Sequence, residues 1–315
     1  MENRNITGRQ MGAWFFSAMS APLAQFAGAA PWPVVLLTGA VCLVAAWHVS
    51  GITLKPGRLF CAAQYIWILC ILGAMVRWIA GSWPSGNVYP AVPLVLVALA
   101  AVSSSRGEGP AAGAGSVLFW LVALVFALVI IAGIREFDIT MHEPVGGTVR
   151  GDLAVVFLLP AAAAFLPGSR NKNFPAWLPS AAVFGTVVSV MIAGSLSPAV
   201  AQSADSPLYQ WVRGLGLFGT LERFEAIVAV AITMGWFSAL SYLVCVAGCL
   251  AEQYKSGWYR KGACICAILT GAGVLLDLWI SIPALAIGCG IMWIALPIGS
   301  NLRVKINFKK YKNNA

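Results

Sequence analysis

The stretch Ser206–Glu252, SPLYQWVRGLGLFGTLERFEAIVAVAITMGWFSALSYLVCVAGCLAE, joins two kinds of helix in one segment. In its first part apolar residues recur at helical spacing, at Leu208, Trp211, Val212 and Leu215. This pattern predicts a short amphipathic helix on a membrane surface, with Gln210 and Arg213 facing away from the lipid. The second part is a nearly uncharged apolar run, long enough to cross a bilayer even when tilted.

Charged residues mark the junction between the two parts. One interpretation is local helix-start chemistry, in which Thr220 caps the helix and acids occupy its first turn. The other interpretation is functional, because charges beside a membrane often gate a path or bind a partner. The candidates for an outer gate or partner contact are Trp211, Arg213, Glu222, Arg223 and Glu225.

Composition extends the membrane interpretation to the whole chain. Of the 315 residues, 60% are hydrophobic and 10% are charged, and the mean hydropathy is +0.83. Soluble domains carry about 25% charged residues, so we expect an all-α polytopic membrane protein. The eight cysteines lie in or beside apolar runs, which predicts neither disulfides nor a metal site. No cofactor is expected, and the net charge of +9 indicates membrane topology and not nucleic-acid binding.

The apolar runs predict about ten transmembrane helices in a single domain spanning 1–315. The predicted spans are 10–28, 33–50, 59–80, 90–105, 114–134, 150–167, 176–196, 224–250, 261–277 and 280–299. Most Lys and Arg residues fall on one side of this layout, which predicts cytoplasmic N- and C-termini and a basic cytoplasmic tail at 300–315. Trp211 and Trp258 are predicted at the membrane interfaces.

Prolines fall at matching positions in the first and sixth spans. If the spans divide into repeats of about 10–134 and 150–299, Pro22 and Pro160 each lie in the leading helix of a repeat. Kinked leading helices indicate an inverted-repeat transporter fold with a binding site at the membrane midplane. The alternative is that both prolines are ordinary kinks, which membrane helices commonly contain.

Hydroxyl side chains supply the remaining candidates. The ligand-binding candidates are Ser17, Ser20, Pro22, Tyr65, Pro160, Ser238 and Ser241. Thr233 and the two serines of span eight could offer oxygens to a cation or a solute, although hydroxyls also join helices in membranes. The sequence contains no arguable catalytic set and no acid deep in a span, so we expect neither an enzyme nor the usual kind of proton relay.

Three stretches resemble spore germination permeases, the membrane B subunits of nutrient germinant receptors in the amino acid–polyamine–organocation superfamily. They are Ile6–Gly12 before span one, Arg106–Pro144 around span five, and Pro207–Arg213 continuing through Leu221–Glu225. The resemblance implies a LeuT-type fold with two inverted five-helix repeats.

The same resemblance implies a function and partners. It points to a subunit in the inner spore membrane that senses a small nutrient such as an amino acid. It also implies an A subunit with soluble domains and a lipoprotein C subunit as partners. The alternative is a secondary active amino acid transporter, with ion coupling through the hydroxyls of span eight.

Overall fold

The computed structural model describes residues 6–50, 57–81, 91–138, 140, 151–166, 177–196, 200, 206–215, 224–278 and 280–299. Within these ranges every regular element is a helix. The α-helices are α1 (Gly8–Ala27), α2 (Trp32–Ser50), α3 (Arg58–Gly81), α4 (Ala91–Ser104), α5 (Glu108–Gly133), α6 (Gly151–Leu158), α7 (Leu178–Leu196), α8 (Pro207–Gly214), α9 (Phe224–Tyr254), α10 (Tyr259–Leu275) and α11 (Ile282–Cys289).

Each of the ten predicted spans contains a helix, and α8 is the additional short one. Six segments of the described chain are long and apolar enough to cross a membrane, and two shorter apolar helices, Ala91–Ser104 and Gly151–Phe165, accompany them. The prediction of an all-α polytopic protein is therefore confirmed. The division into repeats at 10–134 and 150–299 stays a prediction.

Helix α1 forms the centre of the bundle. It begins with a capping box, in which the Thr7 hydroxyl accepts from the Gln10 amide at 3.2 Å and the Gln10 side chain accepts from the Thr7 amide at 3.1 Å. Nearly all of its residues are buried, and it packs against α5, α7 and α9. A helix so poor in charge and so rich in Ala and Ser can be enclosed on all sides by other helices.

The leading helices of the two predicted repeats differ at their prolines. Helix α6 ends at Leu158 and continues as a 3₁₀ helix over Leu159–Phe165, so its interruption coincides with Pro160. Helix α1, in contrast, runs as one α-helix across Pro22. A change of helix type at the proline is thus present in α6 and absent in α1. In α1 the proline removes one N–H, and close packing on every side maintains the helix around it.

Helix α8 has the predicted apolar face but a different neighbour. Leu208, Trp211, Val212 and Leu215 are all buried, while Gln210 and Arg213 are exposed. The buried face packs against α7 and α9 instead of lying on lipid. Trp211 is 1% exposed, so its indole is enclosed by protein and does not face lipid, and its level at the membrane interface stays a prediction. Its indole lies against Gly133, where a β-carbon would overlap the ring.

A second irregular segment follows α11. The chain continues from Cys289 as a π-helical turn over Gly290–Ala295. The buried Gln64 side chain of α3 donates to the Met292 carbonyl in this turn at 2.5 Å. A π turn misaligns backbone carbonyls, and the Gln64 amide provides one of them with a donor.

Candidate functional site

The contact between α1 and α9 has a defined antiparallel register. The Trp14 and Tyr242 rings meet edge to face, with centroids 5.5 Å apart. Toward the other end of the seam, a β-carbon placed on Gly235 would lie 2.6 Å from the β-carbon of Ala21. Glycine is therefore what allows the two backbones to approach so closely at this level.

Ser17 and Ser238 lie between these two contacts, on the surfaces that the helices turn toward each other. Ser17 is three residues beyond the first α1 contact and four before the second. On α9, Ser238 is three residues after Gly235 and four residues before Tyr242. Residues three and four apart share a helix face, so the two serines occupy matching levels of the seam.

Both hydroxyls are buried without a hydrogen-bond partner among the described residues. Ser17 is 0% exposed and Ser238 is 1% exposed. The Ser241 hydroxyl is in the same state, while Ser20 donates to the Ser17 carbonyl at 2.9 Å. An unsatisfied buried polar group costs about 1–3 kcal/mol, so these hydroxyls destabilise the packed seam. A polar molecule bound between the helices would provide them with hydrogen-bond partners.

The interruption of α6 adjoins the same seam through Tyr242. This side chain is 1% exposed, and its hydroxyl donates to the Leu159 carbonyl at 3.2 Å. The carbonyl belongs to the first residue of the 3₁₀ segment, beside Pro160. Tyr242 therefore holds together α1, α9 and the point where α6 changes helix type.

The structure groups some of the predicted ligand residues and separates others. Ser17, Ser20, Ser238 and both prolines belong to the three helices that Tyr242 joins. Ser241 lies at the side of the seam, where its carbonyl accepts from Ser104 of α4 at 2.8 Å.

Two predicted hydroxyls have other contacts. Tyr65 faces α10 and donates to the Gly262 carbonyl at 2.6 Å. Thr233 donates to Ala229 within its own helix at 2.8 Å.

Three of the five residues predicted for an outer gate lie within the described ranges, namely Trp211, Arg213 and Glu225. The Arg213 guanidinium of α8 pairs with the Glu225 carboxylate at the start of α9, with Nε and Oε2 2.5 Å apart. The Trp211 indole donates to the Ser195 hydroxyl of α7 at 3.1 Å. Glu222 and Arg223 lie outside the described residues. A short helix is thus attached by polar contacts to two long ones.

The segment after α5 is attached to α7 as well. The Asp138 amide donates to the Gly194 carbonyl at 3.1 Å. The hydroxyl and amide of Thr140 donate to the Asp138 carboxylate and hold its pKa below the usual range, because both bonds favour the charged form. This hydrogen bond fixes the end of α5 beside α7.

Exchanging the charges of Arg213 and Glu225 tests the attachment of α8. With side chains 57% and 36% exposed, the pair contributes at most about 1 kcal/mol to stability. We expect R213E and E225R each to lower the unfolding temperature slightly, and the double exchange to restore it. Equal unfolding temperatures for all four proteins in a thermal-unfolding experiment would show that the pair contributes nothing.

Three functional candidates were not predicted from the sequence. Tyr242 and Gly235 have no motif, and only their helical spacing from Ser238 could have indicated them. Asp152, which no sequence motif marks, is 2% exposed in the first turn of α6. A carboxylate in a first helical turn is stabilised by the helix N-terminus, so a membrane helix can bury it there.

Comparisons with known proteins identify the fold. The sequence matches no protein-family model, and the search of curated proteins finds no match. Among solved structures, a Na⁺-coupled sialic acid symporter in a substrate-bound, outward-open state aligns with a TM-score of 0.59 and 11% identity, over 91% of this chain and 76% of that one. MhsT in complex with L-phenylalanine aligns with a TM-score of 0.54 and 16% identity, over 92% of this chain and 86% of that one.

Similarity at this level of identity shows the fold alone. It extends over nearly the whole chain in both alignments. The predicted fold is confirmed: the chain is an α-helical, multi-pass membrane protein with the LeuT-type fold.

Proposed function

We propose that this protein is a secondary transporter that carries a small polar organic solute across the membrane. The observation that supports it most directly is the pair of buried, unpartnered hydroxyls of Ser17 and Ser238 beside the interruption of α6. A packed helical seam gains nothing from such hydroxyls when they have no partner. A bound solute would give them one.

The seam combines hydrogen-bond donors with backbone acceptors. The two serine hydroxyls can donate to a carboxylate. Pro22 has no N–H to donate to the Ala18 carbonyl, and Pro160 has none for the Val156 carbonyl, so each proline leaves a helix acceptor without its usual donor. Donors and acceptors at one place suit a small amphoteric molecule, and amino acids are the simplest members of that class.

The two aligned structures support the same chemical class. Sialic acid, which the first of these proteins transports, and L-phenylalanine, which is bound to the second, are both small molecules that carry a carboxylate. In this protein, a solute of this class can bind only if the seam between α1 and α9 opens. The serines are buried, so solute entry requires α1 to separate from α9 on one side of the membrane at a time.

A subunit of a nutrient germinant receptor is the second candidate. The ion pair of Arg213 with Glu225 joins the two parts of the stretch with the strongest resemblance to germination permeases. In this hypothesis the seam binds the nutrient, and α8 passes the change to A and C subunits at the inner spore membrane. Adjacent genes for A and C subunits, together with a germination defect on deletion, would favour the receptor.

Uptake into proteoliposomes tests the transporter proposal. The purified protein would be reconstituted and supplied with labelled amino acids and sugar acids, with and without an imposed Na⁺ or proton gradient. We expect one solute class to accumulate above its external concentration only when a gradient is present. Empty liposomes are the control for leakage.

Binding without uptake would contradict the transporter proposal. If a solute stabilises the protein against heat but never accumulates, the receptor role is favoured instead. If no solute of the panel binds or accumulates, the seam is not a solute site of this class.

A further inference from the structure

We propose that a groove between α3, α9 and α10 binds one anionic phospholipid, with an acyl chain inside and the headgroup at its basic rim. The groove is a half-open cavity of about 230 Å³. It lies where α3 and α10 begin and α9 ends, the end predicted to be cytoplasmic. This site is separate from the seam of α1 and α9, and its test does not depend on transport.

The interior of the groove suits a hydrocarbon chain. Its walls include Ala62, Ile66, Leu250 and Ile265. The Tyr65 hydroxyl also lines the groove, but it already donates to the Gly262 carbonyl at 2.6 Å. Pockets for drug-sized ligands measure roughly 300–1,000 Å³, so this narrower space fits a chain better than a bulky solute.

The groove opens on a surface where lipid is expected. Ile66 is 60% exposed and Ile265 is 40% exposed, which suits contact with acyl chains in a transmembrane helix bundle. Tyr254 lines the groove near the end of α9 and is 45% exposed. Aromatic rings with one polar end favour the region of the lipid headgroups.

The rim carries positive charge. Trp258 lines the groove, and the ammonium groups of Lys255 and Lys261 lie 4.9 Å and 6.0 Å from its ring centroid. Arg260 is exposed between them in the sequence. Both ammonium groups therefore lie beside the indole that lines the groove, so the positive charge is concentrated at this rim.

The neighbouring carboxylate of Glu252 offsets only part of this charge, because Lys255, Arg260 and Lys261 are three cations against one anion. Glu252 accepts from the Gly257 and Tyr259 amides at 2.9 and 3.0 Å, so it stabilises the turn that begins α10. Within the described ranges, no carboxylate forms a salt bridge with Lys255 or Lys261. The occupant must therefore be apolar along its length and negative at one end, which describes an anionic lipid.

Other occupants fit less well. The segment 303–312 of this chain is strongly basic, so the lysines of the rim would repel it. A second copy of the chain would bring the same positive rim and the same apolar groove. Neither supplies the negative group that this site requires.

Lipid-dependent stability and native mass spectrometry of the full-length protein test the proposal. We expect dioleoyl phosphatidylglycerol to raise the unfolding temperature, and dioleoyl phosphatidylcholine, with the same chains, to have little effect. The double substitution Lys255→Ala and Lys261→Ala should weaken phosphatidylglycerol binding roughly 30-fold, because each basic residue near an anionic surface contributes about 1 kcal/mol. Arg106→Ala, a change of an exposed cation at the same predicted side, is the matched control.

A groove-filling variant separates a lipid site from general surface charge. Ala62→Trp keeps every cation but occupies the groove, so it should also lose phosphatidylglycerol. If it fails to fold, native mass spectrometry of the unaltered protein in mixed lipid decides, and the expected result is one retained phosphatidylglycerol. The proposal is overturned if the lysine variant binds like Arg106→Ala, if glycerol 3-phosphate stabilises the protein equally, or if the groove is covered by a second copy in a lipid-free dimer.

Discussion

Replacing Gly235 by leucine is expected to leave little folded protein. The β-carbon alone would lie 2.6 Å from the Ala21 β-carbon and 3.2 Å from both the Ala21 amide nitrogen and the Ser20 hydroxyl. Two of these atoms are held by the backbone of α1, which is packed on several sides and cannot retreat freely. The milder Gly235→Ala should lower the free energy of unfolding by about 1–3 kcal/mol, as overpacking does.

Gly73 provides the matched control for this substitution. It also lies within a long membrane helix, but a β-carbon there would meet no atom within 4 Å. Gly73→Ala should leave stability unchanged or raise it, since alanine favours the helix by up to about 1 kcal/mol. Thermal unfolding and size-exclusion profiles of the four proteins make the comparison. Equal stability of the two alanine variants would mean that α1 and α9 are not in close contact at Gly235.

Removing the hydroxyls of Ser17 and Ser238 is expected to reduce solute uptake without reducing stability. Each hydroxyl is buried without a partner, so alanine removes an unsatisfied group and no internal hydrogen bond. If both donate to the solute, their loss should weaken its transport roughly 10- to 100-fold, at about 0.5–1.5 kcal/mol for each bond. Initial uptake rates and unfolding temperatures of the double variant are the measurements.

Ser189→Ala serves as the control, because it should reduce stability and leave solute uptake unchanged. It is equally buried, but its hydroxyl donates to the Ala30 carbonyl at 2.6 Å and joins α7 to the chain after α1. Ser189→Ala should lower stability by about 1–3 kcal/mol, because a buried carbonyl loses its donor. Uptake per folded molecule should remain. Full uptake by the Ser17 and Ser238 double variant would remove these hydroxyls from the solute site.

Periodicity explains how much of the fold could be predicted. Apolar runs extend over many residues, so each of the ten predicted spans coincides with a helix, and six described segments are long and apolar enough to cross a membrane. The same rule identified the buried face of α8 correctly. It could not identify the neighbour of that face, because lipid and protein are equally apolar and the pattern does not distinguish them.

The candidate site shows a similar limit at the level of single residues. Ser17 and Ser238 were recognised as hydroxyls in apolar spans, but their juxtaposition depends on the close approach at Gly235, which no motif marks. Tyr65 was predicted as a ligand residue because the sequence does not show how α3 is rotated about its axis. Adjacent helical residues point about 100° apart, so Gln64 faces the π-helical turn after α11 while Tyr65 faces α10 and the lipid groove.

The difference between α1 and α6 has a mechanical consequence. Because α1 is a continuous α-helix over Gly8–Ala27, we expect it to move as one body when the bundle rearranges. Helix α6 changes to a 3₁₀ helix at Leu159, so we expect any bending of this segment to occur there. Rearrangement of the bundle would then combine one rigid helix with one that bends. The hydrogen bond from the Tyr242 hydroxyl to the Leu159 carbonyl would hold the bending point in place.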